Sequence, residues 1–167
     1  MRVLAIDPGP ERSGMVLFDG AKIEAKNSEY NNEELVDAFG IMLSLSEVLI
    51  IEKVECYGMA VGASVFDTVF WTGRFCQAWP GEFVRIGRKA VKIHLCGSMR
   101  AKDTNIRQAL IDRFPATGGG KRPWQGTKKQ PGPLYGVKSH CWAALALAVT
   151  YAEQRQQEIE QTGGGKG

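Results

Sequence analysis

The sequence predicts one mixed α/β domain in which a β-meander leads into alternating helices and strands. Three observations carry that expectation. The first 26 residues hold three short apolar runs broken by turn signals. From residue 31 onward, stretches with helical spacing alternate with short apolar runs. The length of 167 residues, with 44% apolar and 23% charged side chains, suits one core that needs no disulfide or structural metal.

Met1-Arg-Val-Leu-Ala-Ile-Asp7 closes on a carboxylate before Pro8-Gly9, so it reads as a buried strand entering a turn. Residues 14–18 and 21–26, joined by Asp19-Gly20, read as a hairpin with a two-residue type I′ turn, whose positive φ values Asp-Gly supplies. Asn31-Asn32-Glu33-Glu34 opens a helix with a capping residue and an acidic first turn, and Leu35, Phe39, Met42 and Leu43 give it one apolar face. Val48-Leu-Ile-Ile51 is a fourth, buried strand that ends in Glu52 and Glu55. Residues 63–79 have helical spacing and stop at Pro80-Gly81; 82–86 read as a fifth strand. The next stretch fits two periods. Val91, Ile93 and Leu95 alternate with Lys92 and His94 as in a strand, while 88–92 can open a short helix. Asp103 caps a helix over 104–114, where Ile106, Ala109, Leu110 and Phe114 recur at steps of three and four. Residues 115–138 hold six glycines, four prolines, five basic residues and no acid, and structureless loops of that length in compact domains tend to be functional. A last helix runs from near Ser139 to about Gln161, which closes the domain at 1–161 and leaves 162–167 as a disordered tail.

Charge is segregated along this chain. Residues 1–84 carry 6 basic and 13 acidic side chains (net −7), residues 85–140 carry 13 and 2 (net +11), and residues 141–167 carry 2 and 3 (net −1). A segment at +11 attracts polyanions, of which nucleic acid is the usual one. Cys56, Cys76, Cys96 and Cys141 form no C-x-x-C pair and read as buried thiols of a cytoplasmic protein. The longest apolar run, residues 142–149, is far short of the ~20 residues a membrane helix needs, so no membrane partner is expected.

Three elements end in polar ligands: Asp7 closing the first strand, Glu52 closing the fourth, and His140 in the first turn of the last helix. If these ends converge, they form a hard-cation site. Mg²⁺ is held by one or two carboxylates plus substrate phosphates, and such ions activate water and stabilise the leaving oxygen in phosphodiester hydrolysis.

Ala5-Ile6-Asp7-Pro8-Gly9 with Ser13-Gly14, Ile51-Glu52 ending the fourth strand, and His140 two residues before Trp142-Ala143-Ala-Leu-Ala-Leu-Ala resemble the RuvC family of Holliday-junction resolvases. The match is closest to its phage and prophage branch and spans about residues 1–152. The resemblance implies a ribonuclease-H-like fold: a five-stranded mixed sheet with strands 1 to 3 antiparallel, strands 4 and 5 parallel to strand 1, and helices on both faces. It implies a Mg²⁺-dependent endonuclease, with Mn²⁺ as a substitute, that nicks symmetric strands of four-way DNA as a homodimer in recombination and repair. It also favours the helical reading of 88–92.

Carried onto this chain, Asp7 is the metal-bridging carboxylate, Glu52 the second ligand and His140 a third. The family's last acid, one helical turn on, falls on Ala143. The site is then one carboxylate short, so Glu55 or another acid completes it, or activity is weak or absent. The position three after the strand-4 Glu, often an aromatic that stacks at the junction centre, is Glu55 here, and Tyr57 is the nearest substitute. DNA contacts are expected from Lys102, Arg107, Lys121, Arg122, Lys128, Lys129, Lys138 and Tyr57. Phe66, Phe70, Trp71 and Phe75 give the 63–79 helix more aromatic surface than one core face uses, which makes it the candidate dimer interface.

Three other readings compete. The fold and basic surface could persist in a junction-binding protein that has lost cleavage, or the same fold could cut other branched DNA or RNA. The loop from Asp7 to Gly14 also looks like the phosphate loop of actin-like ATPases, but their two domains need more than 167 residues. Gly118-Gly-Gly-Lys121 lacks the spacing of a Walker loop.

Overall fold

Strands β1 (Val3–Asp7), β2 (Arg12–Phe18) and β3 (Ile23–Asn31) pair as an antiparallel meander. Strands β4 (Val48–Lys53) and β5 (Glu82–Gly87) add in parallel on the other side of β1, giving the order β3-β2-β1-β4-β5. This computed structural model describes residues 1–163. The sheet is the five-stranded mixed one that the ribonuclease-H-like resemblance implied.

Alternation along the strands divides the core between the two faces. Val3, Ala5, Val16, Phe18, Val48 and Ile50 point to a face covered by α4 (Arg88–Cys96), α5 (Asp103–Ile111) and α6 (Cys141–Gly163). Leu4, Ile6, Met15, Leu49 and Ile51 point to the other, where α1 (Asn32–Asp37), α2 (Phe39–Leu43) and α3 (Ala63–Ala78) supply Leu35, Phe39 and Phe75. The three inner strands, β2, β1 and β4, are thus buried on both sides, which is why they read as apolar runs.

Several expectations need correction. The β2–β3 connection has four residues, not two. The Asp19 carboxylate accepts from the N–H groups of Ala21 and Lys22 at 2.8 Å each, and only Gly20 takes a positive φ (100°), so no type I′ turn forms. β3 runs on to Asn31, because its second half pairs with β2 through a largely exposed, polar stretch that carries no apolar signal. The helix after Asn31 is broken at Ala38 into α1 and α2, although Asn31 caps it as expected by accepting from Glu33 and Glu34. Over residues 88–96 the helix wins: Val91 and Leu95, four apart, are buried while Ile93 is exposed. Asp103 is the first residue of α5 rather than its cap. Lys102 holds the cap position, its N–H bonded to the Asn105 side chain at 2.8 Å.

α6 starts at Cys141 and continues through Gly163, two residues into the stretch expected to be a disordered tail; 164–167 lie outside the described residues. Cys141 is the one fully buried thiol and Cys56 is exposed, so burial of all four does not hold. Among the described residues no helix is long and apolar enough to cross a membrane.

Residues 115–138 contain only an isolated bridge between Gly126 and Pro131. The segment is nonetheless tied down. Gly119 N–H bonds to Gln130 O, Gly132 N–H to Gln125 O and Leu134 N–H to Trp124 O, each at 2.9 Å, and Leu134 and Val137 enter the core. Gly126 sits at φ 73° with its α-carbon against the Gly132 backbone, where any side chain would collide.

Candidate active site

The first pair of acids follows from strand register. β1 and β4 are parallel neighbours with Ile6 opposite Ile51, so the next residues, Asp7 and Glu52, leave the sheet side by side at its C-terminal edge. Ligand sites in open α/β sheets lie at that edge. The two side chains are mostly buried, with exposures of 13% and 18%. Burial, then the charge of Asp7 and a hydrogen bond shared with it, push the Glu52 carboxyl up to about 8, against the opposing pull of Arg88.

His140 arrives from a third element. Ser139 takes left-handed backbone (φ 42°), uncommon outside glycine, and turns the chain into the start of α6. His140 Nδ1 then lies 2.9 Å from Asp7 Oδ2. That hydrogen bond raises the imidazole above its ordinary value, partly offset by burial. Gly14, the cross-strand partner of Asp7, permits this approach: a Cβ there would lie 2.5 Å from His140 Cβ and 2.6 Å from its carbonyl carbon and oxygen. The turn after Asp7 is fixed from below. Buried Ser13 donates to Asn32 Oδ1 (2.7 Å) and accepts from Gly9 N–H (3.2 Å), while Asn32 Nδ2 donates to Gly9 O (3.0 Å).

Two adjacent carboxylates in a mostly buried site resist joint ionisation unless a cation neutralises them, so this donor pair fits a hard divalent ion. Among the described residues, however, no three His, Cys, Asp or Glu side chains converge on one point. His140 is engaged with Asp7.

A cavity of about 500 Å³ opens over the pair, lined among others by Asp7, Glu52, Arg88, Asp103, Arg107, His140, Trp142 and Ala143. Glu55 lies in a neighbouring cavity of about 280 Å³ that shares Asp7 and Glu52. Its carboxylate is occupied there by Lys53 Nζ at 2.8 Å and by the Tyr57 hydroxyl, and these bonds hold it below the usual carboxylate range. Asp103, expected from the sequence only as a helix cap, lines the larger cavity from the first residue of α5. It is ion-paired with Arg88, whose guanidinium also lies 3.9 Å from Glu52 Oε1. One signal could have found it: Asp103 and Asp112 are the sole acids in residues 85–140.

The expected DNA contacts divide. Arg107 lines the larger cavity, its guanidinium 4.4 Å from the Trp142 ring centre and 5.9 Å from that of Trp124, whose loop is thereby joined to α6. Tyr57 lines the smaller cavity, with Lys89 Nζ 3.7 Å from its ring centre. Lys102, Lys121, Arg122, Lys128, Lys129 and Lys138 are exposed on α5 and the 115–138 loop, outside the walls of both cavities.

No protein-family model matches the chain, and no curated protein matches it. Solved structures do. The Thermus thermophilus RuvC structure superposes with a TM-score of 0.63 at 20% identity, covering 95% of this chain and 97% of that one. T. thermophilus RuvC in complex with a Holliday junction substrate gives 0.65 at 18% identity, covering 95% and 96%. At this identity the likeness is one of fold, and over nearly its whole length the chain has the ribonuclease-H-like fold of RuvC.

Proposed function

We propose that the chain is a divalent-cation-dependent endonuclease that resolves four-way DNA junctions by symmetric phosphodiester hydrolysis. The observation that carries this reading is the Asp7–Glu52 pair, a buried acidic couple at a sheet edge in a protein whose neighbouring segment is strongly basic. Asp7 and Glu52 would hold Mg²⁺ or Mn²⁺ with His140 beside them, and the bound ion would activate a water and stabilise the departing oxygen. His140 orients Asp7 through its Nδ1 bond, and an imidazole ligand favours Mn²⁺ over Mg²⁺. Exposed Lys121, Arg122, Lys128, Lys129 and Lys138 supply phosphate contacts that position DNA without reading its sequence.

A four-way junction has two strands to cut, and an isologous homodimer offers two identical sites to it. The proposed interface is α3, where Phe66, Val69 and Phe70 are exposed; Phe75, expected to join them, is spent in the core. That RuvC of T. thermophilus has been solved with a Holliday junction supports the same partner here.

One observation favours a second reading, a junction binder without cleavage: Ala143 lines the cavity where the resemblance places an acid. Incubation with four-way, flap, duplex and RNA hairpin substrates in Mg²⁺ and in Mn²⁺ separates the readings. Symmetric nicking of the junction alone is the expected result; tight binding with no cut in either metal selects the second reading, and cleavage of flaps or RNA in preference overturns the substrate.

A further inference from the structure

Between the acids of the larger cavity lies one cation that belongs to the protein. Arg88, the first residue of α4, is ion-paired with Asp103, the first residue of α5, and sits 3.9 Å from Glu52, while Asp7 lines the same cavity. The guanidinium is half-buried, and the Asp103 side chain is 78% exposed, so the latter can swing without disturbing any packing. Ala143, from α6, leaves the facing volume open.

We infer that Asp103 is the third carboxylate of the cation site, and that Arg88 stands in for the cation until one binds. The inference rests on the metal-dependent reading above and names a ligand which that reading leaves out. Three acids around one guanidinium explain why no three ligands converge on a point: a planar fork spreads its partners over its edges, whereas a small spherical ion draws them together. An acid at position 103 also opposes polyanion binding in a segment where 13 of 15 charges are basic, so its place at the cavity wall needs a use beyond solvation. Its alternative use, a negative charge at a helix start, is available to any acid in the first turn and does not require Arg88. When a divalent ion takes Glu52 and Asp103, Arg88 loses both partners and its fork turns to the cavity, where a phosphate can receive it bidentately.

The test is calorimetric titration of Mn²⁺ into the full-length, metal-stripped protein without DNA. Asp103→Asn should weaken binding at least about tenfold, Asp103→Glu should restore most of it, and Arg88→Met should tighten it about threefold by removing the competing charge. Asp112→Asn, the other acid of the segment, should change nothing. Melting curves in chelator establish that each variant is folded before titration. Wild-type affinity in Asp103→Asn reduces Asp103 to a helix-start charge and overturns the inference, and weaker binding in Arg88→Met overturns the stand-in role. Absence of any Mn²⁺ binding by the wild type removes the metal-dependent reading itself, a different failure from loss of the Asp103 effect alone.

Discussion

A single methyl group at position 14 would meet both the side chain and the backbone of His140, and that contact ranks Gly14 with the acids in importance to the site. Because the obstacle is main chain, it cannot turn aside, and Gly14→Ala must push the start of α6 from β1. Overpacking of this kind costs about 1–3 kcal/mol. The expected result is a melting temperature lower by several degrees and a larger loss of junction cleavage, measured by thermal unfolding and a nicking assay. Glu52 makes the opposite prediction. Its carboxyl titrates near 8 in the folded chain against 4.5 when unconstrained, so the unfolded state loses this proton first as pH rises. The contribution of Glu52 to stability is therefore fully present below 4.5 and declines between 4.5 and about 8. In chelator, Glu52→Gln should melt above the wild type at pH 8 and with it at pH 5, and Mn²⁺ should close the gap at pH 8 while the variant fails to cut. Equal melting curves at both pH values would remove the acid-pair account. Asp7, Glu52 and His140 were readable in the sequence because each ends an element whose type is plain. Asp103 was not, because one acid before Thr-Asn serves equally as a helix start, and only tertiary packing brings α4 and α5 together around the site.

The elements that sequence patterning located best are the ones buried on two faces. β1 and β4 are apolar up to Asp7 and Glu52 and the first half of α6 is rich in alanine and leucine, and each element lies where the pattern put it to within about two residues. Elements on the rim escaped, since the outer half of β3 is polar on both faces and Val91-Lys-Ile-His-Leu95 satisfies a period of two as well as a helical step. The 115–138 loop was legible as a loop but not as an ordered one. Its order comes from glycine backbone packed on glycine backbone and from Trp124 meeting Trp142 at 6.2 Å, contacts that no local pattern announces. An ordered loop presents its charges in fixed positions, so the loss of Lys121, Arg122, Lys128 and Lys129 together should show in the salt dependence of junction binding. Each phosphate contact contributes about 0.9 to the slope of log K against log salt, and the quadruple alanine variant should flatten that slope by up to about 3.6. An unchanged slope in a fluorescence-anisotropy titration would show that the DNA runs elsewhere.

Charge divides along the chain into an acidic and a basic segment, and the site draws on both: Asp7 and Glu52 belong to the net −7 segment, Arg88, Asp103, Arg107 and His140 to the net +11 segment. DNA held by the basic segment would thus bring its backbone near acids of the other segment in the same cavity, the juxtaposition that hydrolysis would need. On the proposed function, one such site would cut one strand. Two cuts in one encounter would require a second copy, and α3 offers an apolar surface for it. Met59, Phe66, Val69 and Phe70 are 49–70% exposed on α3 and the segment leading to it, next to Thr68, which lines the smaller cavity with Asp7 and Glu52. A patch of aromatic residues so placed is costly to leave in water, and pairing it with itself buries it. Val69→Glu with Phe70→Glu sets two carboxylates on each side of that pairing while touching no residue of the core. Light scattering should then show the wild type at twice 18.3 kDa and the double variant at 18.3 kDa. On a supercoiled plasmid carrying an extruded cruciform, paired cuts give linear product and single cuts give nicked circles. The wild type should yield mainly linear DNA and the monomeric variant mainly nicked circles, at similar Mn²⁺ affinity. A variant that stays at the wild-type mass and still linearises the plasmid would place the dimer interface away from α3.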